Sequence, residues 1–239
     1  MHNDDLYQLE TLEVDYLPVL KAKCNLFLKM LNGKKILEVG CGTGNLLRLL
    51  SNNNLDLSGT DYSSDYLAYA KNKSPTINFF QGDLLEPYLW KKYENSYDSI
   101  ICSEVLEHIT NDLAALKIIF SILKPNGTLI VTVPALNSLY SDFDKKIGHH
   151  RRYSKKSISD VIKEAGFTIE KARYWNFLGM FGWFILFRLL KQDIKKTSHP
   201  ILGKLLGTWL KLESKLTFPL GQTIIVHAQK SHKADLSQK

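Results

Sequence analysis

The chain has 239 residues, 44% of them hydrophobic, enough for a sizeable core in one domain with an insertion or in two small ones. Its three cysteines, Cys24, Cys41 and Cys102, are odd in number and lack C-x-x-C spacing, which excludes a disulfide framework or a zinc ribbon and fits a reducing cytosol. A net charge of +7 and a pI of about 9.1 allow an acidic partner such as nucleic acid, an anionic membrane or a phosphorylated substrate, but a solvated basic surface accounts for the same excess.

Met1-His2-Asn3-Asp4-Asp5 has no basic region followed by an apolar run, so no signal peptide is expected. Residues 6–31 carry Leu9, Leu12, Leu17, Leu20, Leu26, Phe27 and Leu31 at broadly helical spacing, with Pro18 as a break or a new first turn. Asn32-Gly33 leads into the stretch that organises the chain, Lys35 to Arg48. Ile36–Val39 reads as a buried strand, Gly40-Cys41-Gly42-Thr43-Gly44 as a tight turn, and Asn45-Leu46-Leu47 as a helix start. The glycines permit positive φ and remove Cβ atoms that would keep a ligand from the backbone. Free N–H groups at the helix start favour an electron-rich partner. A dinucleotide fingerprint places its third glycine at position 45, which here is Asn; the third glycine is Gly44. On its own this remains compatible with a glycine-rich turn that binds nothing.

Ser51-Asn52-Asn53-Asn54 ends the helix, and Leu55–Thr60 reads as a second strand closing on Asp61. An acid about 20 residues beyond the glycine turn sits at the tip of the adjacent parallel strand, where it can accept from a ribose diol. Tyr62-Ser63-Ser64 opens the next helix, which Ser74-Pro75 ends. Ile77–Phe80 reads as the third strand, followed by Gly82-Asp83-Leu84. Asp83 there either caps the next helix or accepts from an adenine amino group, with Leu84 packing on the ring. Tyr97–Cys102 is the fourth strand; it runs into Ser103-Glu104-Val105-Leu106-Glu107-His108, then a helix from Asn111 or Asp112 to Leu123. Lys124-Pro125-Asn126-Gly127 reads as a turn and Thr128–Val133 as a fifth strand. Strands and helices alternate from 35 to 133, which predicts a parallel sheet with helices on both faces and ligands at the carboxyl ends of the strands.

Taken together, the glycine turn, the Asp61 strand end, Gly82-Asp83, Cys102-Ser103-Glu104-Val105-Leu106-Glu107-His108 and Leu123–Thr128 resemble the class I S-adenosylmethionine-dependent methyltransferases of type 11/12, near the ubiquinone-biosynthesis O-methyltransferase branch. The resemblance covers roughly residues 33–175. It implies an α/β, Rossmann-like, doubly wound, mostly parallel seven-stranded sheet and S-adenosylmethionine as methyl donor. It further implies that Gly40, Gly42 and Gly44 hold the methionyl part. Glu38 would orient the glycine loop or the amino group, Asp61 with Tyr62 the ribose, Asp83 with Leu84 the adenine, and Ser103 would lie beside the sulfonium.

Downstream, Asp142–Ser154 is polar and charged, and its Asp144…Gly148-His149-x-Arg151-Arg152-Tyr153 arrangement is similar to one in many small-molecule methyltransferases of this superfamily. Ser157–Ala165 reads as a helix and Phe167–Tyr174 as the sixth strand. Trp175–Leu190 is a dense aromatic run of 16 residues, short for a membrane span. The basic stretch Lys191–Lys196 follows it, and Ile201–Leu216 has helical spacing. Thr223–Ala228 reads as the last strand, with a polar tail from Gln229. The expected organisation is a helical segment over 1–32, a core over 33–174, a hydrophobic helical insertion over 175–220, the last strand over 221–230 and a disordered tail over 231–239.

Methyl transfer from a sulfonium needs collinear geometry and exclusion of water, and a hydroxyl acceptor also needs a base. Two histidines are candidates, His149 in the polar segment and His108 after the fourth strand. A structural role for His149 competes evenly with a substrate role. Asp144, Arg151, Arg152 and Tyr153 are the candidate substrate residues, the arginines suiting a carboxylate or phosphate; alternatively they pair with Asp142 or Asp144 and hold the loop. Glu104, Glu107 and His108 would share a helical face. In the ubiquinone branch matching positions are associated with metal binding, but with no further ligand identifiable a charge cluster without metal is the preferred reading.

The aromatic run with its lysines suits a lid that touches a membrane or a lipid-like substrate, against the plainer reading of a lid buried on the sheet. The expected function is therefore methylation of a small-molecule or lipid-linked acceptor, at oxygen in preference to carbon or nitrogen. The protein is expected in the cytoplasm, in peripheral contact with the inner face of a membrane through residues 175–190. An NAD-linked oxidoreductase, a non-catalytic cofactor-binding scaffold at a membrane and an RNA methyltransferase are the alternatives. The first is disfavoured by Asn45, the last by charge that is spread out rather than gathered in a stripe.

Overall fold

The computed structural model describes residues 17–185 and 200–231. Expectations for 1–16, 186–199 and 232–239 lie outside the described residues. Helix α1 covers residues 17–28, with Pro18 in its first turn, where a missing N–H costs nothing. The core then alternates: β1 (Lys35–Val39), α2 (Asn45–Leu50), β2 (Asp56–Asp61), α3 (Ser64–Lys73), β3 (Asn78–Gln81), α4 (Pro87–Trp90), β4 (Tyr97–Ser103), α5 (Asp112–Ile122) and β5 (Leu123–Pro134). Next come α6 (Asp142–Lys146), α7 (Lys155–Glu164), β6 (Phe167–Trp175), α8 (Phe177–Trp183), α9 (Pro200–Glu213) and β7 (Thr223–Lys230).

The seven strands form one sheet in the order β3-β2-β1-β4-β5-β7-β6. The first five are parallel; β7 runs antiparallel to both β5 and β6. Alternation along the strands sorts side chains onto two layers. Leu37 and Val39, Ile100 and Cys102, Leu129 and Val131 face α5 and α7. Ile36, Ile101, Ile130 and Ile225 face the layer of α1, α2 and α3. Strands buried on both faces are apolar throughout, so Glu38 inside β1 is an exception that asks for a reason. By parity with Ile36 it faces the α1 layer.

Two sequence expectations shift. The predicted turn at Lys124–Gly127 is an irregularity inside β5: Leu123 pairs with Tyr97, and the ladder resumes at Thr128 with Ser99, the extra residues passing through Asn126 at φ 60°. Trp175 closes β6 and is buried, so it belongs to the sheet and not to the insertion. β7 continues through Gln229 and Lys230, whose ammonium donates to Leu123 O at 2.6 Å. The insertion is also anchored on the core. Arg173 donates to the carbonyls of Glu213, Ser214 and Leu216 at the end of α9, while Phe177 stacks on Phe218 with ring centres 4.8 Å apart.

Candidate active site

Strand order reverses direction between β1 and β4, and in an open parallel sheet such a switch point leaves a crevice at the carboxyl ends. On the β1 side lies the glycine turn. Gly40, Gly42 and Gly44 all have positive φ, 66°, 50° and 75°. A Cβ on Gly40 would run into Val105 Cγ2, and one on Gly44 would lie 2.9 Å from the Phe79 ring. A Cβ on Gly42 would meet nothing within 4 Å, so this glycine borders open space. Asp61 is buried and holds the turn from the neighbouring strand: Gly42 N donates to its Oδ2 at 2.8 Å and Ser63 N to its Oδ1 at 2.9 Å. Each carboxylate oxygen keeps acceptor capacity beyond those bonds.

Tyr62 is well exposed beside it. Asp83 is exposed and accepts from Leu85 N at 2.7 Å, a local turn rather than a helix cap, since α4 is preceded by Glu86. Leu84 is buried in the core layer with Trp90, so its side chain serves packing first.

Glu38 lies beneath the turn. Its Oε2 is buried and has no hydrogen-bond partner. Burial pushes its carboxyl up to about 8, with the Lys23 ammonium pulling the other way and the Asp61 charge adding to the rise. A buried acceptor left open at the end of a central strand is costly and rare unless a ligand completes it.

On the β4 side, Lys23 of α1 reaches into the crevice. Its Nζ lies 3.2 Å from both Ser103 Oγ and Glu104 Oε1. Ser103 Oγ also bonds Thr132 Oγ1 at 2.9 Å, and Thr132 Oγ1 donates to Glu104 Oε1 at 3.0 Å. Although burial pushes the Glu104 carboxyl upward, Lys23 and Thr132 hold it below the usual carboxylate range. Glu104 sits at φ 57°, which turns it away from the following residues. The expected helical face of Glu104, Glu107 and His108 does not form, since only Leu106–His108 make a helical turn, of 3₁₀ type, yet the Glu104 carboxyl, paired with Lys23, still meets that of Glu107.

Sequence reasoning did not single out Lys23. A signal was available, since it sits among Val19, Ala22, Leu26 and Phe27, the buried face of α1, where a lysine needs a partner.

The polar segment after β5 is an ordered loop built around Asp144, which is 0% exposed. Asp144 Oδ2 accepts from Ser141 N and Oγ at 2.9 and 3.0 Å. Its Oδ1 faces His149 Nδ1 at 3.1 Å and Arg152 Nε at 2.9 Å. Burial would raise this carboxyl, but His149 and Arg152 hold it below the usual range. An ionised carboxylate only accepts, so Nδ1 of His149 donates to Asp144, and its Nε2 points toward Glu107 Oε1 at 3.8 Å. Arg152 is buried, donates to Ala135 O, and lies 4.0 Å beneath the Trp183 ring of α8.

Arg151 pairs with Asp112 at 2.9 Å and donates to Thr110 O, and the buried Tyr153 hydroxyl donates to Asp112 Oδ2 at 2.8 Å. Thus Asp144, Arg152, Arg151 and Tyr153, the expected substrate residues, all have charged or hydrogen-bonding partners that hold the loop. Buried charges need such partners before they are free to serve a ligand. The loop-holding alternative was correct for Arg152 with Asp144; Arg151 takes Asp112 and not Asp142, whose partner is Lys145.

His149 and His108 meet edge to face with ring centres 4.6 Å apart. Burial and the neighbouring His149 push His108 below its usual value. Glu107 is fully buried, with its carboxyl against that of Glu104 and its Oε1 3.8 Å from His149 Nε2. Burial, then the Glu104 charge, pushes its carboxyl well above the usual range. Ligand atoms of Glu107, His108 and His149 lie within 4.8 Å of one another, so the additional ligand absent from the local sequence arrives from the α6–α7 loop. These three residues could hold a divalent cation.

A family model described as a methyltransferase domain matches residues 17–172. A Mycolicibacterium smegmatis protein named "Probable S-adenosylmethionine-dependent methyltransferase" is 25% identical over 140 residues, 58% of this chain and 53% of that protein. The ubiquinone biosynthesis O-methyltransferase of Actinobacillus pleuropneumoniae is 29% identical over 131 residues, 52% of this chain and 53% of that enzyme. The chain thus spans about half the length of the curated relatives it matches. The crystal structure of a SAM-dependent methyltransferase from Archaeoglobus fulgidus superposes with a TM-score of 0.62 at 18% identity, covering 89% of this chain and 93% of that one, a likeness of fold.

Proposed function

Because this chain belongs to the methyltransferase domain family, with S-adenosylmethionine as its cofactor, we propose that it methylates a hydroxyl of a small-molecule or lipid-linked acceptor, and not a nucleic acid. The residues at the crevice fit the cofactor: Glu38 offers an unpartnered buried acceptor, Gly42 borders open space, and Asp61 has spare acceptor capacity. When bound, the cofactor supplies an electrophilic methyl on a sulfonium. Glu38, Asp61 and the glycine turn bind and orient it. His149 Nε2 would take the acceptor's hydroxyl proton, and Asp144 would hold the imidazole in the orientation that allows this. The α8 helix, with Trp183 over Arg152 and Met180 packed beside Leu139, covers the loop and limits water.

The observation that carries the reading is the Asp144–His149 pair, an imidazole oriented through Nδ1 with its Nε2 at 3.8 Å from Glu107 Oε1. Labelled-methyl transfer from the cofactor into aqueous and lipid extracts tests it. Label recovered as a stable methyl ether supports it, and label only on nitrogen or carbon refutes it. Strict dependence on an added divalent cation would shift the chemistry to Glu107, His108 and His149 acting as metal ligands.

Support for a lipid-linked acceptor comes from the outer face of α8 and the turn that follows it. Leu178, Phe181 and Ile185 lie at i, i+3 and i+7 and are 44%, 49% and 48% exposed. An apolar stripe on a basic protein suits peripheral contact with an anionic bilayer. No helix among the described residues is long and apolar enough to cross a membrane.

A further inference from the structure

Lys23 is a cation in the crevice whose partners leave a charge pattern unfinished. Lys23 is anchored in α1, the helix that packs on the Glu38 face of the sheet through Val19, Cys24 and Phe27. Its side chain is only 12% exposed, and its ammonium rests on Ser103 and Glu104 at the tip of β4. It is also close enough to lower the Glu38 carboxyl. Two carboxyl groups, Glu38 and Glu104, and one ammonium, Lys23, therefore line the β1–β4 switch point. The methionyl end of the cofactor carries the complementary set: an α-ammonium, a sulfonium and one carboxylate.

We propose that Lys23 is the residue that binds the cofactor's carboxylate, exchanging its present ion pair with Glu104 for that group. This rests on S-adenosylmethionine being the cofactor. The exchange conserves charge pairing. Glu104, released by Lys23, is left facing the region of Ser103, where the family resemblance puts the sulfonium, and Glu38 is left for the α-ammonium. A lysine suits the task because its four-carbon stem and point charge swing between partners with little geometric demand, whereas a guanidinium needs a planar fork.

Calorimetric affinities of the full chain for S-adenosylhomocysteine and for its decarboxylated counterpart test this without turnover. The wild-type protein should bind the carboxylate-bearing ligand at least about tenfold more tightly. In Lys23→Met that gap should close to within about twofold, mainly through loss of affinity for the carboxylate-bearing ligand. Lys23→Gln, which keeps hydrogen bonds to Ser103 and Glu104 while removing the charge, should behave the same way and serves if the methionine variant fails to fold. A gap that survives both substitutions, or no gap in the wild-type protein, overturns the assignment while leaving the cofactor in place. No binding of either compound overturns both.

Discussion

Asp144 Oδ1 and His149 Nδ1 stand 3.1 Å apart in a loop that α8 covers, and the same oxygen accepts from Arg152. This shared oxygen separates two consequences of mutation. His149→Asn removes the base and should lower kcat by about 10²–10⁴-fold, with the affinity for S-adenosylhomocysteine and the melting temperature nearly unchanged. Asp144→Asn should lower kcat and also destabilise the fold by about 3–5 kcal/mol, because buried Arg152 loses its counter-ion. Thermal melts beside steady-state kinetics check both. Full activity in His149→Asn would exclude the base.

Glu38 supplies a second prediction, in which stability and binding move in opposite directions. Its folded carboxyl titrates at about 8 against an ordinary value of 4.5, so between those pH values the folded state holds a proton that the unfolded state has lost. Stability from this group is present below about pH 4.5 and declines as pH rises toward 8. Glu38→Gln should therefore raise the melting temperature of the cofactor-free protein at pH 8 more than at pH 5, while weakening cofactor binding. About 1–3 kcal/mol is expected for removing a buried unmatched group. Wild-type cofactor binding should release a proton, detected as a buffer-dependent calorimetric enthalpy that disappears in the variant.

The three glycines of the turn should not respond alike. Gly40→Ala and Gly44→Ala place a methyl group against Val105 and Phe79, and should cost stability as well as binding. Gly42→Ala meets open space and incurs only the backbone strain of φ 50°, about 1 kcal/mol. Its loss should appear mainly in cofactor affinity. Equal stability losses across the three would contradict open space at Gly42.

The α8 stripe predicts co-sedimentation with anionic vesicles in preference to neutral ones. Leu178→Glu with Ile185→Glu should reduce it several-fold without changing the melting temperature, since both side chains are exposed. Trp183 is unsuitable for this test despite its place in the aromatic run, because it is buried over Arg152 and its loss would disturb the loop. Unchanged partitioning in the double variant would remove the membrane role.

Much of the crevice was legible from local patterns. Gly40, Gly42 and Gly44 follow a short apolar strand, and Asp61, Asp83 and Ser103 follow later ones, so parallel pairing alone brings them to one rim. The partners inside the crevice were less visible. Lys23 is 80 residues from Ser103 in sequence, and its role needs α1 to pack across the sheet. Glu104 looked like part of a helical face with Glu107, but a positive φ at Glu104 breaks that face. Arg151 and Arg152 are adjacent yet take different anions, Asp112 and Asp144, because each had to be matched where burial put it.

The sequence by itself determined the strand–turn–helix order, the glycine turn and the set of polar groups at the strand ends, since each follows from short-range periodicity and backbone freedom. Only the tertiary structure decided which charges meet: Lys23 with Glu104, Asp144 with His149 and Arg152, and Glu38 with no partner for its buried oxygen. The reason is physical. Periodicity is written in neighbouring residues, whereas a buried charge is matched by whatever group the packing of distant elements brings within a few ångströms of it.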